Sequence, residues 1–233
     1  MNLGKVFLLP MLLHEEGWDS IPSDIVKWIQ ECDAFFVENE KTTRRYFKKL
    51  WREMVIEEHI WHAIHKVEAE QIQFFKELLK AGKNIGIISE AGCAGVADPG
   101  QILVGIAQEM GAQVKPYVGP NSILLALMAS GMNGQLFQFH GYLPIDSAER
   151  KKKIQALEQD MRVRNCTQIC IETPYRNDQL LDAILQSCHA STKICIGVDL
   201  TGPSEWIKTE TVDYWKKNKP SLHKKLAVFL IGQ

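Results

Sequence analysis

The sequence predicts an α/β fold in two domains, with a mostly parallel sheet in the first and a mixed sheet in the second. Short apolar runs alternate with longer amphipathic runs along the first half of the chain, which is the order that successive strand–helix–strand units produce. The short runs are apolar almost throughout, as expected of parallel strands covered on both faces. The alternation becomes less regular beyond the segment 118–121. We therefore predict domains at 1–118 and 119–233.

Each predicted element has a local reason. Pro22 and Pro99 suit the first turn of a helix, where no backbone N–H is required. Gly82 and Gly111 follow the last turns of two helices, where a left-handed residue is favoured. In the first domain we predict strands at 6–9, 34–37, 85–89 and 114–116, and helices at 22–31, 41–51, 67–80 and 99–110. In the second we predict helices at 122–130, 147–162 and 177–188, strands at 136–141, 168–172 and 193–198, and hairpin-like returns at 205–209, 212–217 and 226–231.

Composition limits the classes of function. The chain has 233 residues, with 27 Lys and Arg against 28 Asp and Glu, so no overall positive field favours non-specific adhesion to nucleic acid. The longest clean apolar run, 123–129, is far shorter than the roughly 20 residues of a membrane helix, and we expect no membrane association. The six cysteines form no Cys-x-x-Cys pair, which predicts reduced thiols and a cytoplasmic location.

The most informative segment is 85–100, where a buried strand ends in a loop of small residues that opens into a helix at Pro99. Ligands of open α/β sheets bind beyond the carboxyl ends of the strands, and glycines let a ligand approach the backbone. Glu90 supplies a carboxylate there that could accept hydrogen bonds from a ribose diol. The spacing is neither Gly-x-Gly-x-x-Gly nor a phosphate loop, so no pyrophosphate cradle is predicted. An ordinary strand-to-helix turn also fits this composition.

Three further segments carry polar groups that could bind a ligand or a phosphate. Asn121 and Ser122 can cap the helix that follows or face a ligand at its N-terminus. At a second strand end, Arg176 can pair with Glu172 or hold a phosphate through two parallel hydrogen bonds. The segment 41–52 has six basic residues with aromatics between them, typical of a nucleic-acid surface or of a solvated helix face. On a helix, Arg44, Lys48 and Arg52 would share one face.

The three histidines at positions 59, 62 and 65 invite a metal interpretation. On a helix their spacing would spread the rings instead of bringing them together, and no His-Glu-x-x-His motif is present. We therefore predict no metal site.

Seven segments in order resemble the tetrapyrrole methylase superfamily of S-adenosylmethionine-dependent methyltransferases. The resemblance is strongest to the branch that methylates the ribose 2′-hydroxyl of a cytidine in 16S ribosomal RNA. The segments are 4–10 (Gly-Lys-Val-Phe-Leu-Leu-Pro), 37–44, 89–92 (Ser-Glu-Ala-Gly) with 98–100, 119–122 (Gly-Pro-Asn-Ser), 139–144 (Phe-His-Gly-Tyr-Leu-Pro), 172–176 (Glu-Thr-Pro-Tyr-Arg) and 199–201 (Asp-Leu-Thr).

The resemblance implies two α/β domains, a homodimer, and S-adenosyl-L-methionine in a cleft between the domains. It implies ribosomal RNA or the small ribosomal subunit as partner, with a small-molecule substrate as the alternative. The implied cofactor contacts are Leu9, Pro10, Glu90, Cys93, Asn121, Ser122, Thr173 and Leu200. The implied RNA contacts are Lys41, Arg44 and Arg176.

The catalytic group stays open at this point. A ribose hydroxyl is a poor nucleophile that benefits from a general base, and the residues do not single one out; the candidates are Glu38, Asp98, His140 and Glu172. Two other classes of function also fit the residues. One is a methyltransferase acting on a tetrapyrrole or other small molecule, and the other is a non-catalytic binding protein that kept the fold.

Overall fold

A computed structural model describes residues 3–64 and 69–233. The chain divides into two compact units, Met1–Pro120 and Asn121–Gln233, and each contains one five-stranded sheet with helices. In the first unit the strands are β1 (Val6–Leu8), β2 (Ala34–Val37), β3 (Ile60–Ala63), β4 (Ile85–Ile88) and β5 (Val114–Pro116). Its helices are α1 (Ile25–Gln30), α2 (Glu40–Leu50), α3 (Ala69–Lys80) and α4 (Gly100–Glu109).

The first sheet has the strand order β3-β2-β4-β1-β5, and all its pairs are parallel. Neighbouring residues of one strand face opposite layers: Phe35 packs in a cluster with α1 and α2, whereas Phe36 packs in a cluster with α3 and α4. Both faces are therefore covered, and the predicted parallel sheet is confirmed. Because α1–α2 and α3–α4 lie on different faces, the three central strands β1, β2 and β4 are largely buried between helices.

The order of the strands creates a switch point between β1 and β4. From β1 the chain continues to β2, which lies on one side of the switch point. From β4 it continues to β5, which lies on the other side. The β1–β2 connection passes β4 on the face of α1, and the β4–β5 connection passes β1 on the face of α4. The two connections therefore turn to opposite faces at the carboxyl ends of β1 and β4, where open α/β sheets bind their ligands. Leu9 follows β1 and Glu90 follows β4, at this same edge.

In the second unit the strands are β6 (Phe137–Tyr142), β7 (Thr167–Ile171), β8 (Lys193–Val198), β9 (Trp206–Thr211) and β10 (Ala227–Gly232). Its helices are α5 (Ser122–Ser130), α6 (Ser147–Arg164), α7 (Asn177–Ser187) and α8 (Val212–Lys217). The sheet order is β6-β7-β10-β8-β9, with β6 and β7 parallel and the other pairs antiparallel. The predicted mixed sheet is confirmed.

Three details of the sequence interpretation were wrong. His59 and His62 do not lie on a helix: His62 belongs to strand β3, where its ring contacts Phe36. The segment 212–217 is helix α8 and not a return strand, because Val212 and Trp215, one turn apart, are both buried. Helix α2 ends at Leu50, so Arg52 lies beyond it.

Two predictions involve residues that the structure does not describe. One is the spacing of the three histidines, which includes His65, and the other is the predicted helix at 67–80, whose first residues are Val67 and Glu68. Among the residues that the structure does describe, no helix is long and apolar enough to cross a membrane.

Candidate functional site

The loops after β1 and β4 are joined at the switch point. The Leu9 N–H donates to the carbonyl of Ile87 at 3.0 Å, which extends the pairing of β1 by one residue. Met11 and Gly92 then exchange two backbone hydrogen bonds of 2.9 and 3.1 Å. Leu9 and Pro10 are buried, so the predicted cofactor contacts next to β1 can offer backbone groups more readily than side chains.

Glu90 presents an exposed carboxylate at this edge. Its backbone N–H donates to the carboxylate of Glu38, which follows β2. The amide of Asn39 donates to Glu90 Oε1 at 3.4 Å, and Asn39 Oδ1 accepts from the Thr42 N–H at the start of α2. Glu90 is thus held at its main chain while its side chain keeps acceptor capacity for hydroxyl groups.

The loop from Glu90 to Pro99 is braced by Asp98. Its carboxylate accepts from the N–H of Gly95 at 2.5 Å and from that of Gly100 at 2.6 Å. Burial raises the pKa of Asp98 above its ordinary value, although the hydrogen bonds from Gly100 and Gly95 oppose the rise. Gly92 and Gly95 have φ of 72° and 84°, a conformation that glycine adopts without strain. Asp98 therefore shapes the loop, and both of its oxygens are occupied.

Cys93 lines a pocket of about 340 Å³, together with Leu8, Val96, Pro116 and Tyr117. Its thiol donates to the carbonyls of Gly119 and Pro120, each at 3.4 Å. Small-molecule sites are mostly apolar and measure roughly 300–1,000 Å³, so this pocket lies at the lower end of that range.

In the second unit, the ends of β7 and β8 lie at one edge of the sheet, because both strands run antiparallel to β10 between them. This arrangement brings Thr173 and Leu200, two predicted cofactor contacts, to the same edge. Lys225, just before β10, donates to Asp199 Oδ2 at 2.8 Å. Asn177 at the start of α7 donates to the Lys225 carbonyl at 2.7 Å. The two loops are therefore connected through the start of β10.

Asp199 and Thr201 have φ of 47° and 67°; aspartate adopts such values more readily than most residues, whereas they are rare for a β-branched residue such as threonine. Burial alone would raise the pKa of Asp199, but hydrogen bonds from Lys225, Ser204 and the Leu226 N–H outweigh it and lower that pKa. The loop after β8 is therefore held in an unusual conformation by one ionised carboxylate. Such conformations persist where the surroundings over-determine them.

Arg176 is engaged by Glu172. Its Nε and Nη2 donate to Glu172 Oε1 at 3.1 and 2.7 Å, and the Thr173 N–H donates to the same oxygen at 2.7 Å. The Glu172 side chain is 2% exposed and that of Arg176 is 30% exposed. Of the two alternatives that the sequence left open, the structure contains the ion pair, and the Arg176 side chain as a whole remains partly exposed.

Asn121 and Ser122 start the second unit at helix α5. Asn121 Oδ1 accepts from the N–H groups of Ile123 and Leu124, each at 3.1 Å, so the predicted cap is confirmed. Ser122 is the first residue of the helix. Cofactor contact by these two residues stays a prediction.

The basic residues of α2 point in two directions. Lys41 is exposed. Arg44 pairs with Glu40 at 2.7 Å, and its guanidinium lies 4.9 Å from the centre of the Trp61 ring on β3. Arg45 and Lys49 instead line a pocket beside Glu90. The sequence reasoning did not single out that pocket, because it forms only where the loop after β1 folds against α2.

The remaining candidates for a general base are fixed by neighbours. His140 on β6 shares a hydrogen bond of 2.7 Å with Gln168 Oε1. Burial lowers the pKa of His140, and the bond to Gln168 opposes the change. Glu38 holds the Glu90 N–H and Glu172 holds Arg176, so each candidate has a structural contact. Within residues 3–64 and 69–233, no group of three or more His, Cys, Asp or Glu side chains has the arrangement of a metal site.

Comparison with known proteins adds sequence relatives and fold neighbours. No family model matches the chain. A Bacillus subtilis protein named Ribosomal RNA small subunit methyltransferase I is 34% identical over 187 residues, covering 79% of this chain and 60% of that protein. The chain spans about half the length of the curated relatives it matches, from 44% to 60% for three of them.

Two solved structures share the fold over nearly the whole chain. The methyltransferase CobJ has a TM-score of 0.64 at 14% identity, covering 99% of this chain and 94% of that chain. Uroporphyrin-III C-methyltransferase from Thermus thermophilus, complexed with S-adenosyl homocysteine, has a TM-score of 0.56 at 13% identity and covers 99% and 98%. In sequence the chain is therefore similar to proteins named ribosomal RNA small subunit methyltransferase I, and it shares the fold of the tetrapyrrole methyltransferases CobJ and uroporphyrin-III C-methyltransferase.

Proposed function

We propose that the protein is an S-adenosyl-L-methionine-dependent methyltransferase that modifies ribosomal RNA, with a ribose 2′-hydroxyl as acceptor. The observation that carries the proposal is the Glu90 carboxylate at the β1–β4 switch point, held by Glu38 and Asn39. A carboxylate beyond a strand end is well suited to a ribose diol. The sequence relatives named ribosomal RNA methyltransferases support the same activity.

The proposed cofactor contacts in the first unit are Leu9, Pro10, Glu90 and Cys93. Those in the second unit are Asn121, Ser122, Thr173 and Leu200. When bound, the cofactor supplies a methyl group already activated by a sulfonium. The protein itself then binds and orients the cofactor and the acceptor and excludes water from them. Orientation alone can lower the activation free energy by roughly 7–11 kcal/mol. Glu90 would fix the nucleoside end through its free acceptor sites.

The proposed RNA contacts are Lys41 and Arg44 on α2 and Arg176 at the end of β7. Lys41 is free to meet a phosphate in solvent, whereas Arg44 and Arg176 already hold carboxylates. These two would contribute through the exposed parts of their guanidinium groups. The small ribosomal subunit is the proposed partner, and the proposal includes a homodimer.

The cytoplasm is the proposed location. All six cysteines lie in the described part of the chain, and five of them are buried thiols. Burial raises the pKa of Cys170 and Cys188 to about 12, so neither forms a reactive thiolate at neutral pH. Packed thiols of this kind are typical of proteins in a reducing compartment.

A second candidate function is methylation of a tetrapyrrole, favoured by the fold shared with CobJ and with the uroporphyrin enzyme. The basic face of α2 and the sequence relatives favour RNA. Incubating the purified protein with labelled S-adenosylmethionine and either small ribosomal subunits or precorrin-like compounds separates the two. We expect label in the RNA. Label in the tetrapyrrole, or failure to bind the cofactor, would overturn the proposal, and the latter would indicate a non-catalytic binding protein.

A further inference from the structure

A pocket of about 250 Å³ lies within the first unit, beside the proposed cofactor contact Glu90. We name it the Arg45 pocket. One wall is a face of α2 that carries Thr42, Arg45 and Lys49, at the three- and four-residue spacing of a single helix face. The opposite wall is the loop after β1, with Trp18 at its end.

The α2 wall offers two cations to a ligand. Arg45 makes no hydrogen bond or ion pair with a residue that the structure describes, and it is exposed. The ammonium of Lys49 lies 5.3 Å from the centre of the Trp18 ring, and no described carboxylate pairs with it. The neighbouring Arg44 faces Glu40 and Trp61 instead. The α2 wall therefore presents two cations that form no ion pair with a described carboxylate.

The aromatic side of the pocket is held in place. Trp18 is partly exposed and stacks on Tyr46, with ring centres 5.9 Å apart. The Tyr46 hydroxyl donates to the Pro10 carbonyl at 3.2 Å. The tryptophan ring is thus supported by Tyr46, and part of its surface remains exposed to the pocket. Cations beside a fixed aromatic ring are the combination with which proteins bind single-stranded nucleic acid.

Glu90 and Glu15 supply carboxylates on the remaining side. The Arg45 pocket is therefore not a simple anion site, because its cations come from α2 and its carboxylates from the loops after β1 and β4. A nucleotide matches this distribution: its phosphate requires cations, whereas its hydroxyl groups and exocyclic amine donate hydrogen bonds to carboxylates. Glu90 belongs both to this pocket and to the proposed cofactor contacts.

We propose that the Arg45 pocket binds the acceptor nucleotide of RNA, with its phosphate held by Arg45 and Lys49 and its base stacked on Trp18. This inference rests on the proposed function and names residues that the sequence resemblance did not. It places the acceptor beside Glu90, the residue proposed to bind the ribose of the methyl donor.

The test measures binding of a fluorescently labelled, short single-stranded oligoribonucleotide across a series of salt concentrations. The variants are Arg45→Ala, Lys49→Ala and the double variant, and Lys80→Ala on α3 is the control for loss of one exposed cation. We expect the slope of log affinity against log salt to fall by about 0.7 for each lost phosphate contact. Lys80→Ala should keep the wild-type slope. Equal slopes and affinities in all variants would overturn the inference.

Trp18 is tested separately by Trp18→Ala and Trp18→Phe. Loss of base stacking should weaken RNA binding roughly 5- to 150-fold in the alanine variant, and phenylalanine should restore most of it. Far-ultraviolet circular dichroism and cofactor calorimetry check that each variant keeps its fold. If Trp18→Phe is folded and binds RNA no better than Trp18→Ala, stacking is not the role of this ring, and the inference fails.

Calorimetry with S-adenosylmethionine distinguishes failure of this inference from failure of the proposed function. A wild-type protein that binds neither the cofactor nor RNA overturns both. A protein that binds the cofactor and RNA, but without dependence on Arg45 and Lys49, overturns only the inference. If these two residues instead govern binding of a porphyrin carboxylate while RNA binding is unaffected, the acceptor assignment to RNA is wrong.

Discussion

The carboxylate of Glu38 accepts a hydrogen bond from the backbone N–H of Glu90, so the ends of the neighbouring parallel strands β2 and β4 are joined beside the switch point. Glu38 follows β2 and Glu90 follows β4. The side chain of Glu38 fixes the main chain of Glu90, and the Glu90 carboxylate, which accepts one hydrogen bond from Asn39, keeps further acceptor capacity. In the proposed site, Glu38 is therefore the positioning residue and Glu90 the proposed binding residue.

Replacing Glu90 with alanine should weaken S-adenosylmethionine binding about 10- to 100-fold. The expected loss corresponds to a hydrogen bond made by a charged group, about 1.5–3 kcal/mol. Glu90 is exposed, so the free energy of unfolding should hardly change. Isothermal calorimetry measures the affinity, with Glu109→Ala at the exposed end of α4 as control. Equal affinities for wild type and Glu90→Ala would refute the assignment.

Alanine substitutions of Lys41 and Arg44 should weaken RNA binding and leave cofactor affinity nearly intact. Each lost phosphate contact should reduce the salt slope by about 0.7. Arg44 should show the smaller effect, because its guanidinium already pairs with Glu40 at 2.7 Å. Filter binding at several salt concentrations measures the slopes. A parallel loss of cofactor affinity would indicate damage to the fold and count against a role in RNA binding.

Gly119→Ala should lower the free energy of unfolding by about 1–3 kcal/mol, the usual cost of forcing extra atoms into a packed site. A Cβ at this position would lie 2.1 Å from Pro10 Cβ, so the loop after β1 must shift. Gly105→Ala is the matched control, because its added Cβ meets nothing within 4 Å and should stabilise α4 by up to about 1 kcal/mol. Urea unfolding compares the two variants. Equal stabilities would show that residue 119 tolerates a side chain.

Arg176→Ala should destabilise the protein by about 3–5 kcal/mol, since it leaves the buried Glu172 carboxylate without its cation. The Glu172 side chain is 2% exposed. The double variant Arg176→Ala/Glu172→Gln should recover part of this loss, because the amide is neutral. A double-mutant cycle by chemical unfolding gives the coupling. If the single variant loses less than about 1 kcal/mol, the pair does not hold this loop.

The stability that Asp199 contributes should depend on acid pH. Hydrogen bonds from Lys225 and Ser204 lower the pKa of Asp199 in the folded protein against the effect of burial, whereas in the unfolded chain it is about 3.9. Its contribution is therefore complete above about pH 4 and is lost as pH falls through the lower, folded-state value. Unfolding experiments between neutral and acid pH should show the difference between wild type and Asp199→Asn shrinking. A constant difference would contradict this account.

Most of the fold could be predicted because strand and helix signals in this chain are local. The strand Lys193–Val198 and the helix Ser122–Ser130 were predicted with the bounds that they have, since each is a continuous apolar run between polar turns. Strand β3 was missed: it is an edge strand of four residues, only partly buried, and contains His62. Its pairing with β2 depends on tertiary contacts that a local pattern does not contain.

The candidate site was predictable only in part, for a similar reason. Glu90 could be singled out because it follows a buried strand directly in the sequence. Trp18 could not, because its role depends on a loop that folds back onto α2, some 30 positions further along the chain, where it meets Tyr46 and Lys49. The engagement of Arg176 by Glu172 was one of two open alternatives, since four-residue spacing allows both.

The central position of β10 in the second sheet has a consequence for biosynthesis. Strands β7 and β8 pair only through β10, which is buried along its whole length. Until the ribosome has made residues 227–232, the strand pairs β6–β7 and β8–β9 lack the strand that joins them into one sheet. The first unit, whose strands are all complete by Pro116, can fold on emerging from the exit tunnel, whereas the second must wait for this last strand.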